Sequence, residues 1–256
     1  MSAEDQDVSF VVVSCDRYAD LWDAFFTCFK RYWPDCPYPV YLITNTLDYS
    51  CPGVTVLHAG PDVDYASHVR SAISKLESKW LVLWLEDAMI TSPVDTCLLR
   101  SLISEAQSMD AGYLKLGPDM PLSYDNKPGC QIGELPKGIR YRSAIGISLY
   151  RRDILDMLLV PGLSAWELDT STASNHMNAP FCALTVKSAK NAPVKYINSV
   201  IKGQWYYPAV RFLTREGFGG LVKKRQRQPL HAYLYIKLFA ARLAMFKLAR
   251  KYWKDR

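Results

Sequence analysis

Residues 9–33 read SFVVVSCDRYADLWDAFFTCFKRYW, and this stretch decides the fold. The β-branched run 9–13 predicts a short buried strand that ends in a polar loop at 14–17. Apolar residues then recur at helical spacing through residue 33, with Asp20 as the expected N-cap. A strand, a polar loop and a helix in this order are typical of an α/β domain, whose ligands bind at the carboxyl ends of the strands.

The remainder of the first 160 residues continues this alternation of strands and helices. The most apolar run, Trp80–Leu85, lacks a polar face and predicts a central strand that is buried on both sides. A Gly- and Pro-rich stretch at 118–138 predicts a long functional loop. We therefore predict an α/β fold with a central, mostly parallel sheet flanked by helices. Further strands are expected at 39–43, 54–58, 111–116 and 144–150, and helices at 65–78, 92–108 and 152–159.

Charge is distributed unevenly along the 256 residues. The net charge is +6, but residues 211–256 hold 13 Lys or Arg and only 2 Asp or Glu. We predict a catalytic domain over residues 1–210 and a basic helical extension over residues 211–256. Hydrophobic residues make up 49% of the chain, which excludes a disordered protein.

The sequence also bears on the compartment. The acidic N-terminal residues do not resemble a signal peptide, and no apolar run reaches the ~20 residues of a membrane-spanning helix. The seven cysteines are an odd number without a C-x-x-C spacing, which favours reduced thiols in the cytoplasm. We expect a cytoplasmic protein, peripheral on the inner face of the cytoplasmic membrane.

Two acidic sites are candidates for chemistry. Glu86 and Asp87 follow the predicted central strand directly, where carboxylates can bind a divalent cation or sugar hydroxyls. The alternative is a loop-capping pair that accepts backbone N–H groups. In the second site, Asp169 is either a general base or a helix N-cap. Its neighbour Trp166 is placed to stack on a sugar ring or simply to pack.

Three blocks of sequence resemble bacterial polysaccharide glycosyltransferases of the GT-A type. They are residues 11–38 (VVVSCDRYADLW through YWPDCPY), residues 83–87 (LWLED) and residues 166–169 (WELD), in that order. The first block is the most specific of the three. The resemblance implies a GT-A-like fold and transfer of a sugar from a nucleotide-sugar donor.

The resemblance also implies roles for individual residues. Asp169 would be the base of an inverting transfer, with Glu167 as the second choice, and Trp166 would contact the acceptor. Asp87 would bind Mg²⁺ or Mn²⁺, but the family's Asp-x-Asp reads Glu86-Asp87-Ala88 here, so a usual metal ligand is missing. His176 is a distant further candidate for a ligand. The residues expected at the donor are Ser14, Asp16, Tyr18, Arg70, Glu86 and Asp87.

The basic C-terminal segment predicts an amphipathic helix over 229–256. A basic cluster at 223–227 precedes it, so residues 220–256 suit an anionic membrane surface. The alternatives are packing of the apolar stripe on the globule or a partner subunit, and nucleic acid, for which no binding motif is present. The stripe consists of Leu230, Leu234, Leu238, Ala241, Met245, Leu248 and Tyr252.

These observations favour a glycosyltransferase that acts on a glycan or lipid-linked acceptor in the synthesis of a surface polysaccharide or glycolipid. A retaining transferase or a nucleotidyltransferase on a related sheet is the alternative among enzymes. A non-catalytic, membrane-associated adaptor is the alternative outside enzymes, and the missing second Asp of Asp-x-Asp favours it.

Overall fold

The structure is a computed structural model that describes residues 7–117, 131–188, 192–235 and 238. The chain forms two compact units, Met1–Lys195 and Tyr196–Arg256, whereas the sequence led us to draw the boundary after residue 210. The catalytic role of the first unit and the role of the second as an extension remain predictions.

The first unit is built on an eight-stranded sheet in the order β3-β2-β1-β4-β8-β6-β9-β7. β1, β2, β3 and β4 are parallel neighbours, and β6 pairs with β9 in parallel. β8 runs antiparallel between β4 and β6, and β7 runs antiparallel at the edge beside β9. The predicted α/β class with a mostly parallel central sheet is therefore confirmed. The strands are β1 (Val8–Val13), β2 (Val40–Thr44), β3 (Val54–His58), β4 (Trp80–Leu85), β5 (Ala88–Ile90), β6 (Ala111–Lys115), β7 (Ile132–Glu134), β8 (Ser148–Arg151) and β9 (Cys182–Val186).

Five α-helices accompany these strands in the described part of the first unit. They are α1 (Trp22–Tyr32), α2 (Tyr65–Ile73), α3 (Thr96–Ser108), α4 (Arg152–Leu158) and α5 (Ala165–Thr170). Every residue of β1, β6 and β5 is buried, as expected for strands without a polar face. Aromatic side chains fill the core beside β1, where the Phe10 ring lies 5.1 Å from Phe29 and 5.5 Å from Trp33.

Several helix starts differ from those predicted. A 3₁₀ helix, Asp16–Leu21, precedes α1, so the predicted N-cap role of Asp20 is wrong. The Trp22 amide already donates to the Ala19 carbonyl, and α1 therefore begins without a side-chain cap. Helix α3 begins at Thr96 rather than near residue 92, because the Asp95 carboxylate caps it through the Leu98 amide. Strands β5, β7 and β9 were not predicted; the predicted loop at 118–138 contains β7, and residues 118–130 lie outside the described residues.

The sheet order places the polar loops together. The chain leaves β1 towards β2 on one side and later returns as β4 on the other side of β1. In sheets with such a reversal, ligands bind at the carboxyl ends of the strands on either side of it, which are β1 and β4 here. Residues 14–16, 45–47 and 86–87 all follow strands that end at this edge.

The second unit contains β10 (Tyr196–Asn198), a hairpin of β11 (Val200–Ile201) and β12 (Gln204–Trp205), α6 (Tyr207–Arg215) and α7 (Gly219–Val222). Lys202 and Gly203 adopt positive φ values of 50° and 76° in the tight hairpin turn. Residues 230–235 are helical, as predicted; the predicted helix beyond residue 238 lies outside the described residues. None of the described helices is long and apolar enough to span a membrane.

Candidate active site

The loop after β1, residues 14–18, is held in place by hydrogen bonds within the protein. The Asp16 carboxylate accepts from the amides of Asn45, Thr46 and Leu47 and from the Thr46 hydroxyl. In return, the Asp16 amide donates to the Asn45 side chain at 2.9 Å. Partial burial opposes ionisation of Asp16, but these hydrogen bonds outweigh it and lower its pKa. Asp16 therefore fixes the loop after β2 against the loop after β1.

Ser14 and His68 continue this network beneath the loop. The Ser14 hydroxyl accepts from the Trp22 indole at 2.8 Å, and its carbonyl lies 2.7 Å from His68 Nε2. His68 Nδ1 lies 3.3 Å from the Asn45 side-chain amide. A neutral imidazole with its proton on Nε2 satisfies both contacts. The predicted donor residues Ser14 and Asp16 thus lie at the carboxyl edge of the sheet, directly after β1, and their roles at the donor remain predictions.

Glu86 and Asp87 form the turn between β4 and β5, at the same edge of the sheet. Glu86 is buried and Asp87 is half-buried. Burial raises the pKa of the Cys15 thiol, and the Glu86 carboxylate raises it further. The parallel strands β1 and β4 end together, with Val13 beside Leu85, so the residues that follow them are neighbours. The first predicted acidic site therefore faces the loop after β1.

Asp169 lies near the end of α5, and its carboxylate accepts a 2.7 Å hydrogen bond from the Ile145 amide. Helix α5 begins at Ala165 with Ser164 as its N-cap, so the alternative role of Asp169 as an N-cap is wrong. Glu167 completes a capping box with Ser164, whose amide and hydroxyl donate to the Glu167 carboxylate. The Ser164 hydrogen bonds lower the pKa of the exposed Glu167. Asp169 is the acid of this helix that is anchored to another segment.

Tyr65, the first residue of α2, joins the two acidic sites. Its hydroxyl is buried and has no hydrogen-bond partner among the described residues. Burial raises the pKa of Tyr65, and the charges of Asp169, Glu86 and Asp87 raise it further. Leu83 of β4 pairs with Ser148 of β8, and the Ile145 amide just before β8 binds Asp169, so residues 86–87 and residue 169 lie at the same edge of the sheet. We refer to Tyr65, Glu86, Asp87 and Asp169 as the acidic cluster.

Sequence reasoning missed Tyr65. As the first residue of a predicted helix it carried no motif, and its relation to both acidic sites depends on the tertiary fold. The signal available in the sequence was its position directly after Asp64, whose carboxylate caps α2 through the Ser67 amide at 2.7 Å. This cap fixes where α2 begins and therefore where Tyr65 lies.

The other predicted residues have different surroundings. Arg70 binds Asp156 of α4 through its Nε at 2.7 Å and also donates to the Asp156 carbonyl at 2.8 Å. Tyr18 is half-buried in the 3₁₀ helix, and its amide donates to the Cys15 carbonyl. The Trp166 side chain is 71% exposed, which leaves its ring accessible to a ligand. The roles of Arg70 and Tyr18 at the donor and of Trp166 at the acceptor remain predictions.

His176, the further candidate for a metal ligand, is buried. It is 1% exposed, and neither ring nitrogen has a hydrogen-bond partner among the described residues. Burial lowers the pKa of His176, and the nearby charge of Arg142 lowers it further. Arg142 is itself buried and donates to the carbonyls of Leu135, Ala179 and Phe181. A histidine beside a buried guanidinium is a poor partner for a further cation.

Glu86 and Asp87 are the predicted ligands of a divalent cation. Within the described ranges, no three or more His, Cys, Asp and Glu side chains are grouped closely enough to hold an ion by themselves. Glu86 and Asp87 supply carboxylates, but Ala88 stands at the third position. Mg²⁺ commonly uses one or two carboxylates together with substrate phosphates. Glu86 and Asp87 fit an arrangement in which two carboxylates bind the ion together with the phosphates of a substrate.

The chain matches no protein-family model and no curated protein. Solved structures with a similar fold include UDP-glucose pyrophosphorylase complexed with UDP-glucose (10% identity, 85% of this chain and 98% of that chain, TM-score 0.48). They also include S. aureus TarS 1-349 (11% identity, 72% of this chain, TM-score 0.45) and the bifunctional IspDF from Campylobacter jejuni (12% identity, 75% of this chain, TM-score 0.41). The matched regions span 61% of the TarS chain and 52% of the IspDF chain. We assign no function from these similarities.

Proposed function

We propose that this protein is a glycosyltransferase that moves a sugar from a nucleotide-sugar donor to a glycan or lipid-linked acceptor. The observation that carries the proposal is the acidic cluster, in which carboxylates from two distant segments converge at the carboxyl edge of the sheet. Carboxylates at such a position suit the binding of sugar hydroxyls and the removal of a proton from one of them. The resemblance of the three sequence blocks to GT-A glycosyltransferases points to the same chemistry.

In the proposed reaction, Asp169 acts as the general base of an inverting transfer. The acceptor hydroxyl oxygen attacks the anomeric carbon of the donor sugar while its proton passes to the Asp169 carboxylate. The bond between that carbon and the diphosphate oxygen breaks, and the nucleoside diphosphate leaves with the electron pair. The hydrogen bond from the Ile145 amide holds the carboxylate in place.

The leaving diphosphate requires positive charge. Asp87, with Glu86, would hold Mg²⁺ or Mn²⁺ together with the diphosphate, and Lys or Arg side chains are the alternative. A bound cation would neutralise the charge that develops on the leaving group. The test of function should therefore compare samples with Mg²⁺, with Mn²⁺ and without either ion.

A thermal-shift panel of nucleoside diphosphates and nucleotide sugars tests the proposal, each with Mg²⁺, with Mn²⁺ or with EDTA. A ligand at ten times its Kd stabilises the folded state by about 1.4 kcal/mol, which raises the melting temperature by roughly 3–6 °C. A shift with one nucleotide sugar supports the transferase and identifies the base. Pyrophosphate release from a nucleoside triphosphate and a sugar phosphate would instead indicate a nucleotidyltransferase. No shift with any ligand would favour the non-catalytic adaptor.

We also propose that the second unit attaches the enzyme to an anionic membrane surface. Three leucines of the predicted stripe, Leu230, Leu234 and Leu238, are 52%, 49% and 70% exposed. The side chains of Lys223 and Lys224 are exposed a few residues upstream. Apolar side chains beside basic ones suit the headgroup region of anionic lipids. The acceptor of a membrane-bound transferase would be lipid-linked.

Flotation with phosphatidylcholine vesicles, with or without phosphatidylserine, tests the attachment. Each basic residue near the surface contributes ~1 kcal/mol, so Lys223→Gln with Lys224→Gln should weaken binding to the anionic vesicles roughly 30-fold. Lys79→Gln with Lys137→Gln is the matched control, because both lysines are exposed in the other unit. If both double variants lost vesicle binding equally, or if neither did, Lys223 and Lys224 would have no specific role in membrane binding.

A further inference from the structure

The Tyr65 hydroxyl is a buried hydrogen-bond donor that the protein leaves without a partner in its described residues. Burying a polar group in this way costs about 1–3 kcal/mol, and native proteins satisfy nearly all such groups. Tyr65 is not at a frayed end, because the Asp64 side chain caps α2 and the Ala66 amide donates to the Leu163 carbonyl. The backbone at Tyr65 is therefore anchored, and the unsatisfied hydroxyl needs an explanation.

Tyr65 follows β3 at the carboxyl edge of the sheet, the edge that also carries Glu86 and Asp87. The Tyr65 ring packs against the same hydrophobic core as Leu85, Ile145 and Leu163. Leu85 precedes Glu86, the Ile145 amide binds Asp169, and Leu163 leads into α5. These three residues belong to segments that carry or hold one of the acids. The hydrogen bond from the Ala66 amide to the Leu163 carbonyl also places Tyr65 beside the segment that leads into α5.

The chemistry around the hydroxyl restricts what can bind there. The raised pKa of Tyr65 keeps the phenol protonated and able to donate. A carboxylate oxygen of the cluster accepts hydrogen bonds. A ligand group placed between the phenol and a carboxylate must therefore accept on one side and donate on the other, as a hydroxyl does.

We propose that Tyr65 is a specificity-determining residue whose hydroxyl donates to a sugar hydroxyl, while that hydroxyl donates to a carboxylate of the acidic cluster. The inference rests on the proposed glycosyl transfer and identifies the residue that recognises the hydroxyl. The sugar belongs either to the donor or to the acceptor, and binding measurements separate these two sources.

Tyr65→Phe tests the inference because it removes only the hydroxyl. Tyr150→Phe is the matched control: Tyr150 is also buried near Asp169, but its hydroxyl donates to the carbonyls of Ser143 and Ala144 at 3.0 and 2.9 Å. Tyr150→Phe should lower the melting temperature by about 2–4 °C, since satisfied hydrogen bonds are lost. Tyr65→Phe should leave the melting temperature unchanged or raise it, yet lower kcat/KM for transfer about 5- to 100-fold.

Binding measurements show whether the recognised hydroxyl belongs to the donor sugar or to the acceptor. Affinity for the nucleotide sugar identified in the panel and for its bare nucleoside diphosphate is measured in wild type and in Tyr65→Phe. Loss of affinity for the nucleotide sugar alone assigns the hydroxyl to the donor sugar. Unchanged affinity for both, with slower transfer, assigns it to the acceptor.

Two results would overturn the inference. One is wild-type kcat/KM in Tyr65→Phe, and the other is a fall in its melting temperature equal to that of Tyr150→Phe, which would reveal an internal partner. Failure of the proposed function is a different result, because the wild type would then bind no nucleotide sugar in the panel. In that case the inference falls with it.

Discussion

Two regions at the same edge of the sheet use polar side chains in opposite ways. In the loop after β1, the Asp16 carboxylate is saturated by three amides and a hydroxyl of the loop after β2. In the acidic cluster, the Tyr65 hydroxyl is buried without a partner among the described residues. A saturated network stabilises the fold, whereas a ligand completes the hydrogen bonding of the Tyr65 hydroxyl in our proposal. Substitutions in the first region should therefore change stability, and those in the second should change activity.

Asp169→Asn should have the largest effect on activity. The amide retains an oxygen for the Ile145 amide but cannot take a proton, so we expect transfer to fall about 10²- to 10⁴-fold with donor binding nearly unchanged. The measurement is single-turnover transfer together with donor affinity. Glu167→Gln is the control, because Glu167 serves the Ser164 capping box, and it should keep activity within a few-fold.

The reverse result would exchange the two roles. Normal turnover in Asp169→Asn with a large loss in Glu167→Gln would make Glu167 the base. Normal turnover in both variants would indicate a retaining mechanism, which needs neither residue as a base.

Asp16→Asn should show the opposite behaviour, with a loss of stability. Its new amide group would face the donors of Thr46 and Leu47, so we expect unfolding in urea to cost about 1–3 kcal/mol less. Because the pKa of Asp16 is lowered on folding, this stabilisation is present above the unfolded pKa of about 3.9 and is lost as pH falls through the lower folded value. The difference from wild type should therefore vanish in acid.

Asp62→Asn provides the control for Asp16. Asp62 forms an exposed ion pair with Arg17 at 3.3 Å, and such pairs contribute only ~0–1 kcal/mol. If Asp16→Asn were as stable as Asp62→Asn but had lost donor affinity, the loop after β1 would belong to the binding residues rather than to the scaffold.

The sequence predicted the local features of this edge of the sheet but not the contacts between distant segments. The strand ends that carry Asp16 and Glu86 were predictable, because apolar runs bounded by polar residues have a strong local signal. The pairing of Asp16 with residues 45–47 and the convergence on Tyr65 were not, since both join segments that are distant in the chain. The helix carrying Asp169 was misplaced by a few residues because several Ser, Thr and Asp residues nearby could each act as a cap.

His176 extends the comparison to a buried group near the charge of Arg142 whose ring nitrogens have no partner within the described ranges. Burial and Arg142 lower its pKa in the folded state, so folding is favoured while the ring is neutral and the unfolded chain binds the proton more readily. This stability is present above the unfolded pKa of about 6.5 and is lost as pH falls, by at most about 1.4 kcal/mol per pH unit. His176→Gln should flatten the fall in unfolding free energy between pH 7 and pH 5. An unchanged slope would mean that His176 is not protonated on unfolding in this range.

Arg70→Gln should cause the smallest change in stability. It also tests whether the Arg70 side chain binds the donor. The pair with Asp156 is partly exposed, with 39% and 53% of the two side chains accessible, so either Arg70→Gln or Asp156→Asn should cost only ~0.2–1 kcal/mol. If Arg70 only joins α2 to α4, the two variants should have equal donor affinity. A weaker donor affinity in Arg70→Gln alone would show that its guanidinium also binds the donor, and the binding region would then extend along α2 from Tyr65.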